Sequence, residues 1–204
     1  AVDVAREAAQ VVLLQHDLGV LVQGVVEGRK SFANTLKYVF FVISANFGYM
    51  FSLAVASLFM KFEPLLASQI LLVNLLADLP AMALATDSVD AEQIQRPRRW
   101  DVRFLLRFML SFGLVSSLFD FLTFGAMFYV FYELQTPEMT GVFEEVFRTG
   151  WFVESTLTGL MILAVVWTQR PFFLSPPGKF FLWAELSVAV LTVLLPYSKL
   201  AALL

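Results

Sequence analysis

The most constraining feature is a succession of apolar runs, each about 20 residues long, beginning with KYVFFVISANFGYMFSLAVASLFM at 37–60. A run of that length is long enough for a helix to cross a hydrocarbon core roughly 30 Å thick. About five such spans can be drawn, near 37–60, 65–85, 104–132, 150–168 and 179–196. The 104–132 run is overlong and has to tilt or protrude. Composition agrees: 59% of the residues are hydrophobic and the mean hydropathy is +0.75, well above an ordinary soluble domain. The expected fold class is an all-α membrane protein whose solvent is the lipid bilayer.

Residues 1–30 differ from the rest. In AVDVAREAA the apolar residues Val4, Ala5, Ala8 and Ala9 fall at helical spacing, and VVLL at 11–14 is a short strand candidate. This predicts a short α/β remnant of a soluble domain over 1–17, with Asp17 as the N-cap of a stalk helix over 18–36. The stalk runs on into the first span, and 37–204 forms the transmembrane domain. No signal peptide is visible and no initiator Met is present, which suggests a fragment or a processed chain.

Basic residues set the topology. With the N-terminus in the cytosol, that side holds Arg6, Arg29, Lys30, Lys37, Arg96, Arg98, Arg99, Arg103, Arg107, Arg170 and Lys179, against Lys61, Arg148 and Lys199 outside. The loop at 133–148, with Glu133, Glu138, Glu144 and Glu145, fits the outer face. The RPRRW run at 96–100 then reads as a cytosolic anchor with Trp100 at the interface. The small net charge of −3 and the dispersal of the basic residues argue against nucleic acid as a partner. Cysteine is absent and His16, in a polar turn, is the single histidine. Any metal handled here therefore has to meet oxygen ligands.

Polar groups inside apolar spans cost on the order of 2.5–3.5 kcal/mol when charged, so each needs a reason. In ILLVNLLADLPAMALATD, Asn74 and Asp78 stand at i and i+4, on one helical face. Pro80 donates no N–H, which frees the Leu76 carbonyl and predicts a break in the helix beside Asp78. Carboxylate, amide and carbonyl oxygens together suit a hard cation. The same pair can also serve only to hold neighbouring helices together. Asn46, flanked by Ser44 and Gly48, can reach a shared site or simply pack. Asp120, sharing a face with Ser116 and Thr123, and Glu154, sharing one with Thr158, are further candidates as ion ligands, proton carriers or structural groups. Glu185 lies close enough to a span end to reach the interface.

These segments resemble a P-type cation ATPase over essentially the whole chain. AVDVAREAAQVVLL followed by DLGVLVQGVVEGRKSFANTLKYV resembles the end of the phosphorylation domain passing into the stalk of that family's fifth membrane helix. ILLVNLLADLPAMALATDSVD resembles the sixth, while DSVDAEQIQRPRRWDVRFLLRFM, SSLFDFLTF and GWFVES look most like the bacterial Mg2+-transporting branch. The resemblance implies that Asn74 and Asp78 are cation ligands, with Asn46 nearby and Glu154 a participant. It also implies Mg2+ as the transported ion, import into the cytosol and a bacterial inner-membrane location. ATP would act only through domains that the resemblance places N-terminal to this chain, together with the first membrane helices. Departures are visible: Tyr49 stands where calcium carriers place Glu and the magnesium branch commonly places Asn, Leu79 directly follows Asp78 without an intervening Gly, and Gln10 and Gln15 replace residues that are usually acidic.

Three functions stay open on the sequence: the ion path of an ATP-driven pump for Mg2+ or another hard cation such as Ca2+ or H+, a membrane-embedded assembly subunit without transport of its own, and a passive channel or proton-coupled carrier using Asp78, Asp120 and Glu154.

Overall fold

The computed structural model describes residues 3–14, 17–84, 89–133, 140–167 and 178–198, and among them every regular element is helical. The elements are α1 (Asp3–Ala8), α2 (Gly19–Phe59), α3 (Ala67–Ala83), α4 (Ala91–Gln95), α5 (Val102–Glu133), α6 (Thr140–Val166) and α7 (Lys179–Leu194), the last continued by a 3-10 turn at Leu195–Tyr197. His16, Gln15, the 134–139 part of the acidic loop, Arg170 and Lys199 lie outside the described residues.

The segments expected to form a stalk and a first span are one helix. The 41 residues of α2 extend about 62 Å, roughly twice the hydrocarbon thickness. Asp17 closes the turn before it, its Oδ1 accepting the Gly19 N–H at 2.7 Å. The helix stops where Met60 turns extended (φ −91°, ψ 141°), ahead of Pro64. Val11–Leu14 is exposed and outside any strand, which corrects the strand expected there. A four-residue run cannot hold a ladder without a neighbouring strand to pair with.

Among the described residues four helical stretches are long and apolar enough to cross a membrane: Gly19–Phe59, Val102–Val130, Val142–Val166 and Lys179–Tyr197. The second of the five expected spans is shorter, because the 17 residues of α3 cover about 26 Å. Its start is fixed by the fully buried Gln69, whose Oε1 accepts the Leu66 N–H at 2.8 Å. The predicted break near Asp78–Pro80 is absent: α3 runs through Pro80 to Ala83. Proline's fixed φ suits a helix, so the missing N–H removes the Leu76 carbonyl's donor without ending the helix, and the ring is buried among neighbours. Helix α6 begins at Thr140, about ten residues before the expected span. Phe143, Phe147 and Trp151, one turn apart, carry it outward by packing on Phe62, Phe124 and Phe128. Part of the aromatic content is thus interior.

Polarity is arranged inside out. On α5, Leu110, Leu114, Leu118 and Leu122 form an exposed stripe, whereas Ser117 and Asp120 are 1% and 2% exposed. That pattern suits a lipid exterior, where polar side chains turn into the bundle. Helices α2 and α5 approach most closely at Gly48 and Gly113: a Cβ on Gly48 would stand 2.7 Å from the Gly113 carbonyl oxygen. Ser117 Oγ bridges the crossing, 2.9 Å from the Gly48 carbonyl and 3.0 Å from that of Gly113.

The two ends of the bundle are tied separately. At the stalk end Arg29 donates to the Ile94 carbonyl at 2.9 Å and Phe32 meets Trp100 edge-on at 5.7 Å. At the other end Arg148 donates to the Glu63 carbonyl at 2.8 Å and lies over the Phe62 ring.

Candidate functional site

Asn46 on α2 donates through Nδ2 to the Val42 carbonyl at 2.9 Å, and Asn74 on α3 does the same to Ile70 at 3.0 Å. In both, the amide nitrogen is retained by its own helix one turn back, so the opposite, carbonyl end of the planar amide is left as a free acceptor. Both side chains line one cavity of about 40 Å3, together with Tyr49, Asp78, Ser116, Asp120 and Ser155. That volume exceeds the roughly 10–15 Å3 that one water needs.

Asp78 follows Asn74 by one turn and borders a second, wider crevice of about 480 Å3 that runs along Ser31, Asn34, Thr35 and Tyr38 of α2. Its side chain is exposed there. The carboxylate therefore stands at the doorway between the stalk crevice and the enclosed cavity.

Asp120 is bound differently. Its Oδ2 accepts from Ser52 at 2.5 Å, and its Oδ1 from Trp151 Nε1 at 2.7 Å and Ser155 at 3.3 Å. Three donors on α2 and α6 thus occupy both oxygens and pin those helices to α5. Glu154 lies outside the cavity wall, half-buried on α6, with Oε1 accepting from Thr158 at 2.6 Å and Asp120 close by. Its Oε2 meets no donor other than the neighbouring Asp120 carboxyl. Glu185 is half-buried on α7, away from this cavity. The fold thus brings Asn46, Asn74, Asp78 and Asp120 to one cavity and leaves Glu154 one residue aside.

One feature escaped the sequence reading, and a second residue, Tyr49, was read there only as a departure from the family pattern. Ser52 and Trp151 were unremarkable in apolar runs, and only the crossing of three helices makes them donors to Asp120. Tyr49 is 7% exposed, lines the cavity and has an Oη without a partner. A buried hydroxyl without a partner costs about 1–3 kcal/mol.

Among the described residues no three Asp, Glu or His side chains converge as a metal centre. What the cavity offers is one accessible carboxylate with neutral amide and hydroxyl oxygens, a donor set for a hard cation that keeps part of its water.

Fold and cavity together define an α-helical membrane bundle enclosing an oxygen-lined pocket. The family model described as "Cation transporting ATPase, C-terminus" matches residues 62–204, and the chain belongs to that family, as a C-terminal membrane region of cation-transporting ATPases. It is 45% identical over its full length to the "Magnesium-transporting ATPase, P-type 1" of Salmonella typhimurium and 44% identical to the protein of the same name from Escherichia coli K12. A "Calcium-transporting ATPase 1" of Bacillus cereus is 36% identical over 62% of this chain and 15% of its own length. The chain spans 22% of the length of the two magnesium-transporting relatives.

Proposed function

We propose that this chain forms the ion path of an ATP-driven Mg2+ pump in a bacterial inner membrane, with its N-terminus in the cytosol and the remaining membrane helices and the ATP-handling domains supplied by the rest of the protein. Residues 1–17 close the phosphorylation domain, 18–36 form the stalk and 37–204 the transmembrane domain. Asp78 is the acidic ligand, Asn74 and Asn46 supply neutral oxygens, and Asp120 and Glu154 stand behind them. The observation that carries this reading is the tethering of both asparagine amides by nitrogen, which leaves their carbonyl ends as acceptors in a cavity whose doorway is a carboxylate.

The chemistry fits a small divalent cation. Mg2+ dehydrates reluctantly and is commonly held by one or two carboxylates with waters retained, whereas Ca2+ takes six to eight oxygens. Movement of the stalk with the phosphorylation cycle would carry α2, and Asn46 with it, relative to Asp78 on α3. Alternating exposure of the cavity follows from that coupling.

The test is Mg2+ uptake into proteoliposomes by the complete pump carrying Asp78→Asn. The substitution keeps size and removes the anion at an exposed position, so expression stays normal and uptake is lost. Wild-type uptake by this variant would sink the assignment. Stimulation by Ca2+ or H+ in place of Mg2+ would redirect it to another hard cation.

A further inference from the structure

Lys37 reads in the sequence as one of the positive charges of the cytosolic side, yet the fold leaves it only 6% exposed, one turn before Phe41 of the cavity wall. Its ammonium lies over the Trp167 ring, 5.7 Å from the centroid. Trp167 follows the last residue of α6, is itself buried, and stacks on Phe181 of α7 at 6.5 Å. Both rings belong to a cluster with Phe41 of α2 and with Ala81, Ala83 and Leu84 at the end of α3. A charge taken out of water has to be compensated. The indole face within about 6 Å supplies part of that. The ends of α3 and α6 meet in the same cluster, and the partial negative charge of helix C-termini also suits an ammonium.

We propose that Lys37 is a positioning residue, its contact with Trp167 being the joint through which movement of the stalk reaches the cavity. The inference rests on the ion-path reading. Helix α2 is continuous from the stalk to Asn46 and beyond, so a movement at its cytosolic end passes along it. Arg29 and Phe32 tie that end to Ile94 and Trp100, whereas Lys37 ties α2 to the end of α6 and, through Trp167, to α7. Pulling the ammonium off the indole would strand a buried charge, so α2 turns about Lys37 instead of sliding past it. Phe41, one turn further in, shares its cluster with Ala81 and Ala83 of α3. A fixed point at Lys37 therefore sets the rotation of α2 where it meets α3, and with it the angle at which Asn46 faces Asp78.

The experiment uses the complete pump in proteoliposomes, with Mg2+ uptake and ATP hydrolysis measured on the same vesicles and thermal unfolding alongside. Lys37→Met keeps the length of the stem and removes a buried charge, so the unfolding midpoint stays level or rises. The Mg2+ moved per ATP falls about two- to tenfold, the factor that a cation–π contact carries. Trp167→Leu lowers the same ratio by a similar factor, and Lys37→Arg, which keeps a cation over the ring, recovers most of it. The double variant Lys37→Met with Trp167→Leu is no worse than the more affected single one, because both remove one joint. An unchanged ratio in Lys37→Met, whatever its midpoint, overturns the proposal, and so do single effects that multiply in the double variant. Should Lys37→Met not reach the membrane, the ratio in Trp167→Leu decides in its place. Loss of uptake in Asp78→Asn beside a wild-type ratio in Lys37→Met defeats this inference alone. Wild-type uptake in Asp78→Asn defeats the ion-path reading itself.

Discussion

Trp151 Nε1 donates to Asp120 Oδ1 at 2.7 Å across the α5–α6 contact, and the same carboxylate accepts from Ser52 on α2. An intramembrane acid that the sequence leaves open between ligand and structural group is thereby committed to joining three helices. Asp120 lines the cavity, but the hydrogen-bonding capacity of its oxygens is largely used.

Asp120→Asn is therefore expected to act on stability first. The amide can keep its oxygen toward Trp151 and Ser155 and donate its NH2 to the Ser52 hydroxyl oxygen, so what is lost is the charge-assisted strength of these bonds, about 1 kcal/mol for each. Thermal unfolding in detergent should show a lowered midpoint and reduced abundance, with the Mg2+ dependence of the surviving protein close to wild type. A midpoint equal to wild type would show that the hub contributes little.

The α2–α5 crossing makes a second prediction. Gly48→Ala places a Cβ 2.7 Å from the Gly113 carbonyl oxygen and 2.9 Å from Ser116 Cβ, so the helices have to separate and the Ser117 bridge loosens. About 1–3 kcal/mol of destabilisation is expected. Gly24→Ala on the stalk meets nothing within 4 Å and should stabilise by about 0.5–1 kcal/mol through helix propensity. Comparing the two unfolding midpoints checks the close approach, since equal effects would mean that the crossing tolerates a methyl group.

Asn46→Ala and Asn74→Ala each remove a neutral oxygen while leaving Asp78 in place. Each should raise the Mg2+ concentration for half-maximal uptake by about tenfold, the equivalent of about 1.4 kcal/mol, without abolishing transport. Titration of uptake by both variants, normalised to protein in the membrane, is the measurement. A complete loss of function with normal folding would mean that the amides do more than supply oxygens.

Topology is tested by labelling. Arg29 meets Ile94 and Phe32 meets Trp100 at one end, while Arg148 meets Glu63 at the other. Single cysteines replacing Arg99 and Glu145 should react with membrane-impermeant reagents from opposite sides, Arg99 from the cytosol. Reaction from one side would require a different arrangement of α5 and α6.

Sequence alone was enough for the membrane class, because apolar runs near 20 residues have few other solutions. It was enough also for the pairing of Asn74 with Asp78, because a period of 3.6 puts i and i+4 on one face. Local patterning was weaker where ends are set by packing. Helix α6 begins ahead of its apolar run because Phe143 and Phe147 find aromatic partners on other helices, and α3 passes Pro80 because a helix can lose one hydrogen bond when its neighbours hold it.

What only the tertiary structure decided is which polar groups meet. Asp120 and Glu154 look alike as acids in apolar helices, yet one lines the cavity with three donors and the other sits beside it. Tyr49 reads in the sequence as a departure from the family pattern, and only the packing of α5 and α6 shows its hydroxyl enclosed without a partner. The physical reason is that helical periodicity fixes the direction of a side chain about its own axis, whereas its neighbours depend on rotation, depth and crossing of separate helices. Those are settled by contacts between residues far apart in the chain, such as Gly48 against Gly113.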